Sequence, residues 1–199
     1  MSYEATLKRM EGTWKQESIE NESEFFKAVG LGKTKRMLLK KIKIKVKIEV
    51  KSATEWSVTE KAIFNNTENH KLDQPQEFNS ALGKTKQIKS FIENEVIDGH
   101  PVLKTVVTLI EPAGFLGKLK AGDEMVFKSW VDKDGFLHGW QSFGEVSCHR
   151  VFKNKKGGEA KQEEDQDDVE NIKLMKEVQS AKDDWYFFLF SKNIFLVFI

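Results

Sequence analysis

Residues 41–51 alternate between two kinds of side chain without interruption. Every second position is isoleucine or valine, and every position between them is lysine or glutamate. A period of two built from β-branched residues predicts a strand with one buried and one solvent-facing side. A shift of one residue would turn every lysine inward, so the pattern determines the register of this strand. The apolar face of this strand covers either a packed core or a ligand cavity, and the rest of the sequence must distinguish the two.

The composition bounds the classes of function. The chain has 199 residues, which predicts one domain with an extension or two small domains. Its 32 basic and 31 acidic residues give a net charge of +1, which argues against a nucleic acid or another bulk polyanion as partner. The charge is uneven along the chain, because residues 159–170 contain seven acids and one lysine.

The cysteine count and the N-terminus favour the cytoplasm. Cys148 is the only cysteine, so no disulfide can form within the chain. The first ten residues are charged and lack the apolar stretch of a secretory signal. Both features predict the reducing cytoplasm. We expect a monomer without a cofactor, and without a metal site because the four histidines show no metal-ligand spacing.

Short extended segments separated by turn residues make up most of the chain up to Lys153. Asp98-Gly99 and Asp134-Gly135 are hairpin turn signals between such segments. Many short strands at this spacing predict an all-β sandwich or barrel. The candidate strands are residues 12–17, 41–50, 55–63, 67–72, 87–93, 102–110, 124–131, 136–142 and 145–153.

Residues 21–40 depart from this pattern and predict two short helices between the first and second strands. Asn21 followed by Glu24 resembles a capping box, in which the first side chain caps the helix. Gly30 then provides a C-terminal stop, and helical spacing resumes after it. The apolar face of the first helix is made by Phe25, Phe26 and Val29.

Five local motifs occur in an order that is typical of one family. They are Gly12-Thr13-Trp14-Lys15, the stretch 20–32, Phe64-Asn65-Asn66-Thr67-Glu68, Glu77-Phe78-Asn79 with Ile88-Lys89-Ser90, and Gly135-Phe136-Leu137 with the stretch 143–153. Over roughly residues 8 to 154 the chain resembles the intracellular lipid-binding proteins, the fatty-acid- and retinoid-binding family of the calycin superfamily. The resemblance implies a ten-stranded antiparallel up-and-down barrel, capped by a helix-turn-helix lid, around a cavity.

The resemblance also implies a head-group anchor. Members of the family commonly place an Arg-x-Tyr pair on the last strand, and here Arg150 and Phe152 occupy those positions, so one hydroxyl donor is missing. Arginine suits a buried carboxylate because its fork binds bidentately and keeps its charge. Arg150 shares its parity with Cys148 and Phe152, which favours an inward side chain over an outward one.

A second arginine is implied on the strand at 125–131, where an insertion blurs the register. Lys128 is the nearest cation, but Ser129 and Trp130 fit the position equally well. With one arginine assigned, a retinoid-like or other less acidic ligand becomes compatible beside a long-chain fatty acid. The other expected ligand-binding residues are Phe64 and four lid residues, Phe25, Phe26, Met37 and Leu38.

The second helix carries a basic surface formed by Lys33, Lys35 and Arg36. Such a surface beside a cavity mouth is attracted to anionic membranes, and the competing interpretation is a solvated lysine-rich helix. We expect a non-covalent carrier of fatty acids or related hydrophobic ligands. The alternative is a membrane-surface or protein-interaction module using the basic lid and the apolar tail. An enzyme is not expected, because no catalytic constellation is visible.

The resemblance divides the chain into a domain at 1–156 and an extension at 157–199. The extension has an acidic linker, a candidate helix at 169–182 and fifteen mostly apolar residues at 185–199. A membrane-spanning helix needs about 20 apolar residues, so this segment is too short. The tail would grip a membrane, cover a partner groove, or come from a gene model that extends past the true end. We favour the last interpretation.

Overall fold

The computed structural model describes residues 3–61, 65–80, 83–97, 99–112 and 118–155, with the single positions 169 and 173. The predicted extension at 157–199 therefore lies almost entirely outside the described residues. The described part contains three helices and ten strands: α1 Tyr3–Met10, β1 Gly12–Glu20, α2 Glu22–Ala28, α3 Lys33–Leu39, β2 Lys45–Val50, β3 Glu55–Lys61, β4 Asn65–Lys71, β5 Gln76–Ser80, β6 Gly83–Ile97, β7 His100–Pro112, β8 Glu124–Val131, β9 Phe136–Phe143 and β10 Val146–Asn154.

All ten strands belong to one antiparallel sheet with the order β4-β3-β2-β1-β10-β9-β8-β7-β6-β5. Neighbours in the sheet are neighbours in the chain, except that β1 pairs with β10. The two edge strands, β4 and β5, are consecutive in the chain and approach each other, so the sheet curls around an interior. The predicted mostly-β, antiparallel fold is confirmed.

The alternating segment folds as its pattern predicts, with two adjustments. Ile42, Ile44, Val46 and Ile48 are buried. The strand begins at Lys45, later than predicted, because the N–H of Ile42 donates to the carbonyl of Leu39 at 3.0 Å and extends the helical turn. Lys45 is also covered, although it lies on the outer side between Lys15 and Lys61 of the flanking strands.

Two helices lie between β1 and β2 as predicted, but the predicted capping box is wrong. Asn21 has a left-handed backbone with φ of 56°, and its side chain makes no capping bond to α2. Asn21 Nδ2 instead donates to the carbonyl of Ser147 at 2.7 Å, which ties the start of α2 to β10. Asparagine tolerates the left-handed region better than most residues, which permits this arrangement.

The end of α2 is formed as predicted. Gly30 has φ of 100°, and its N–H donates to the carbonyl of Lys27 at 3.2 Å. The next residue, Leu31, donates to the carbonyl of Phe26 at 2.8 Å. These two bonds are those of a Schellman motif, which places glycine at the left-handed position.

The N-terminal helix α1 was not expected from the sequence. Its residues Leu7 and Met10 are 1% exposed, because α1 packs across one end of the curled sheet. Arg9 fixes it there, with Nη1 donating to His100 Nδ1 at 2.8 Å and Nη2 to the carbonyl of Val131 at 3.0 Å. Helix α2 lies at the opposite end, beside the β9–β10 turn.

A bulge in β1 changes which residues face the interior. Gln16 pairs with Phe152 and Ser18 pairs with Val151, so Glu17 is an extra residue in the ladder. A one-residue insertion reverses the parity of the strand residues after it. As a result Ile19, which pairs with Arg150, packs against the core.

We predict that Gly30→Ala lowers the free energy of unfolding by about 1 kcal/mol, because a Cβ is unfavourable at positive φ. Urea unfolding followed by circular dichroism measures the change. Gly32→Ala is the matched control, since Gly32 has no positive φ and has open space around its Cα. It is expected to be neutral or stabilising by up to about 1 kcal/mol. Equal losses of unfolding free energy in both variants would contradict the assignment of Gly30 to a left-handed backbone position.

Candidate ligand-binding site

The inner face of the sheet is mainly apolar. In β1 to β4 and β7 to β10, where side chains are described, alternate residues point inward, and large side chains from opposite parts of the sheet form one cluster. Each of these side chains is at most 3% exposed. The wall includes Trp14, Val46, Ile48, Trp56, Val58, Leu103, Val107, Leu109, Met125, Phe127, Leu137 and Phe152.

Arg150 is a buried cation in this apolar wall. It lies on β10 between the inward residues Cys148 and Phe152 and is 3% exposed. Its partners across the two ladders are Gly139 on β9 and Ile19 on β1. Gly139 has no side chain, so no β9 side chain lies directly opposite Arg150 on the inner face. The structure thus places Arg150 where the resemblance implies, and its role as an anchor stays a prediction.

Glu22 is the acid nearest to this arginine. The first residue of α2, it places Oε1 4.0 Å from Arg150 Nη2, and the two side chains are 10% and 4% exposed. Burial raises the pKa of Glu22, while the positive charges of Arg150 and Lys40 oppose that rise. Glu22 also lines a pocket of about 360 Å³ between α2 and the end of β1, together with Ile19, Asn21, Ser23, Glu24 and Lys40.

Two buried amides accompany Arg150 on the inner face. Gln141 Nε2 donates to Cys148 Sγ at 3.5 Å, which leaves Gln141 Oε1 without a hydrogen-bond partner in the described part of the chain. Gln16 Oε1 is likewise buried without a partner there. Buried acceptors are nearly always satisfied in folded proteins, so these two oxygens are candidates for contact with a ligand.

A second polar group lies on the inner face of β3 and β4. Ladder pairing places Glu60, Glu68 and His70 on the same side as Trp56 and Val58. His70 Nε2 is 3.6 Å from Glu68 Oε2, and the His70 ring stacks on Trp56 with centroids 5.3 Å apart. The interior therefore has two polar regions separated along the sheet by β2 and β1.

The chain is similar to solved structures, although no protein-family model matches it and no curated protein resembles it significantly. Fatty-acid-binding protein 1 of Echinococcus granulosus aligns with a TM-score of 0.58 at 14% identity, covering 74% of this chain and 98% of that one. The Schistosoma mansoni fatty acid binding protein in complex with arachidonic acid aligns with a TM-score of 0.56 at 14% identity, covering 75% of this chain and 98% of that one. The REP1-NXSQ fatty acid transporter aligns with a TM-score of 0.55 at 21% identity, covering 73% of this chain and 95% of that one.

The chain has the fold of the fatty-acid-binding proteins. The resemblance drawn from the five motifs is thereby confirmed for the fold, over a part of the chain comparable to residues 8 to 154. At these identities the likeness identifies the architecture alone. Which residues of this fatty-acid-binding-protein fold contact a ligand must be argued from this chain.

The predicted lid residues divide into buried and exposed ones. Phe25 and Phe26 are 0% and 3% exposed, and their rings contact each other with centroids 5.9 Å apart. Met37 is 60% exposed and does not face the interior here, and its expected role as a ligand-binding lid residue stays a prediction. The side chain of Leu38 and the whole of Phe64 lie outside the described residues.

The expected role of Lys128 is also corrected. Lys128 lies on the outer face of β8, where Nζ is 5.4 Å from the centroid of the Trp140 ring. Its neighbours Phe127 and Ser129 are each 1% exposed and face the interior. Among the three candidates for the second arginine position, Ser129 is therefore the inward one, and it is uncharged.

Trp130, His138 and His149 form a stack on the outer face, with the two imidazoles 5.1 Å apart. His138 lies 2.9 Å from both His149 and Asp132, and burial with the neighbouring His138 lowers the pKa of His149. No group of three or more potential metal ligands occurs in the described residues. In that part of the chain, no helix has the length and apolarity needed to cross a membrane.

Sequence reasoning missed Glu22, Gln16 and Gln141 as interior residues. Strand parity carries a signal for the two glutamines, since Gln16 alternates with Trp14, and Gln141 with Leu137 and Gly139. Nothing in the sequence marks Glu22, because a glutamate at the start of a helix is usually solvent-exposed. Its burial follows from the packing of α2 against β10.

We predict that the Cys148 thiol reacts slowly in the folded protein. Cys148 is 1% exposed, and burial raises its pKa although Arg150 and the Gln141 bond oppose the rise. Alkylation by iodoacetamide at about pH 8 should be at least about tenfold slower than in urea-unfolded protein, since the thiolate is the reactive form. Mass spectrometry measures the alkylation rate without ambiguity, because the chain has one cysteine. Equal rates would show that this face is open to solvent.

Proposed function

We propose that the protein binds a long-chain fatty acid or a related hydrophobic molecule without covalent chemistry and carries it through water. The observation that carries the proposal is one buried arginine, Arg150, set in an apolar inner wall. The proposed carrier is a ten-stranded barrel around the interior, with α2 and α3 as its lid. We place this activity in the cytoplasm and in a monomer.

The physical argument has two parts. An acyl chain gains about 0.8 kcal/mol for each CH₂ that leaves water, and the wall supplies the apolar surface. A polar head group loses hydration on entry and must regain hydrogen bonds or charge pairing inside. Arg150 supplies donors, and Phe152 at the neighbouring inward position supplies apolar contact in place of a hydroxyl.

Displacement of a fluorescent fatty acid from the delipidated full chain tests the proposal, with oleate and retinol as competitors. Both are expected to displace it saturably. Arg150→Gln should weaken oleate at least about tenfold, because it removes charged hydrogen bonds from the head group. Lys153→Gln is the control, since Lys153 is an exposed cation on the same strand. Absence of saturable binding would refute the carrier proposal, and equal effects of the two variants would refute the anchor.

A second candidate function is contact with anionic membranes through α3. Met37 is exposed on this helix, as are Lys33 within it and Lys40 just after it. An apolar side chain between cations is typical of a surface that binds an anionic bilayer. Arg36 contributes less than expected, because Nη1 donates to the carbonyl of Leu31 at 2.6 Å. The side chain of Lys35 and the apolar tail lie outside the described residues.

Sedimentation with phosphatidylserine-containing vesicles tests this second candidate. Binding should fall with added salt and be weak on phosphatidylcholine alone. Lys33→Gln and Lys40→Gln should each cost about 1 kcal/mol of binding free energy. Lys133→Gln, an exposed lysine at the β8–β9 turn, is the control at the opposite end. Binding that does not depend on lipid charge would refute this second candidate function and leave the carrier proposal as the remaining one.

A further inference from the structure

Arg150 already has an acidic neighbour before a ligand enters. The Glu22 carboxylate lies 4.0 Å from its guanidinium. Both side chains are almost fully covered, so little water separates or screens them. A carboxylate that entered here would meet a cation that is already paired, and these three groups together would carry a net negative charge.

Glu22 is not easily moved aside. It follows Asn21, whose side chain is bonded to the carbonyl of Ser147 on β10. The next turn of α2 places Phe25 and Phe26 in the core. The backbone of Glu22 is therefore held in place, and while its carboxylate stays beside Arg150 an entering carboxylate sets two negative charges against one guanidinium. Repulsion between like charges is strong where the effective dielectric constant is low.

Two buried acceptors on the inner face favour a ligand that can donate a hydrogen bond, although Arg150 Nε is a buried donor that a carboxylate would also satisfy. Gln141 Oε1 and Gln16 Oε1 are buried acceptors without a partner in the described residues, and both lie on the inner face beside Arg150. A carboxylate offers acceptors only and satisfies neither oxygen. A hydroxyl or a primary amide offers a donor to these oxygens and an acceptor to Arg150.

We propose that Glu22 neutralises Arg150 and makes the interior select a long-chain ligand with an uncharged hydroxyl or amide head group over a fatty carboxylate. The proposal rests on the proposed function and narrows its ligand class. Glu22 acts as the residue that determines head-group specificity. Lys40 and Glu24, which line the adjoining pocket, and Cys148, on β10, are other titratable groups near it in the described part of the chain.

The test compares oleate with oleyl alcohol, which share the same chain and differ in head group. Affinities for the delipidated full chain are measured by displacement at neutral pH and low salt. Four proteins give the Arg150–Glu22 pair net charges of 0, +1, −1 and 0: wild type, Glu22→Gln, Arg150→Gln and the double variant. Glu145→Gln is the matched control, because Glu145 is an exposed glutamate at the β9–β10 turn, at the same end of the sheet.

We expect wild type to bind oleyl alcohol more tightly than oleate. Glu22→Gln should raise the affinity for oleate roughly tenfold and change the affinity for oleyl alcohol by less than about threefold. The double variant should have a higher oleate-to-alcohol ratio than Arg150→Gln, because it removes the unpaired carboxylate, and Glu145→Gln should leave the wild-type ratio unchanged.

Two results would overturn the proposal: a wild-type preference for oleate, or a ratio that does not follow the net charge. Should Glu22→Gln fail to fold, Arg150→Gln against the double variant gives the same comparison, since neutralising Glu22 should then restore oleate affinity. Failure of wild type to bind either compound would refute the proposed function itself, which is a distinguishable outcome.

Discussion

The pairing of β1 with β10 is the interaction on which the rest of the structure depends. It joins the four strands from β4 to β1 to the six strands from β10 to β5, and in the described residues no other ladder does so. It also sets Ile19 opposite Arg150, which brings the following residues of the β1–α2 junction onto β10. The distinctive chemistry of the interior is therefore a product of a contact between distant parts of the chain.

Polar groups in the interior have an energetic cost that the fold must offset. Burying a charge is unfavourable unless it is paired and hydrogen-bonded, and replacing such a pair by apolar residues is often neutral or stabilising. The Arg150–Glu22 pair and the Glu68–His70 pair are thus poorly explained as devices for stability. The carrier proposal gives these pairs a role that stability does not give them, which is contact with a polar part of a ligand.

Much of the architecture was predictable because local sequence patterns, such as alternation and turn residues, determine it. The period of two located β2, and the turn residues around β8 and β9 gave their bounds to within a residue. Helix α1 escaped prediction, since its short and charged sequence is helical only because Leu7 and Met10 pack on the sheet. The choice between Lys128, Ser129 and Trp130 stayed open because an insertion hid the parity of β8, and Glu22 was missed because its burial is a tertiary effect.

One seam distinguishes this sheet from a fully closed cylinder. The edge strands β4 and β5 are consecutive and close, yet the described residues form no ladder between them. Every other junction resists stretching, since widening it would break backbone hydrogen bonds. At the seam the N–H of Lys71 donates to Gln76 Oε1 at 3.0 Å, and no ladder joins the described edge strands. The circumference can therefore widen there at a smaller cost in hydrogen bonds than at any junction between paired strands.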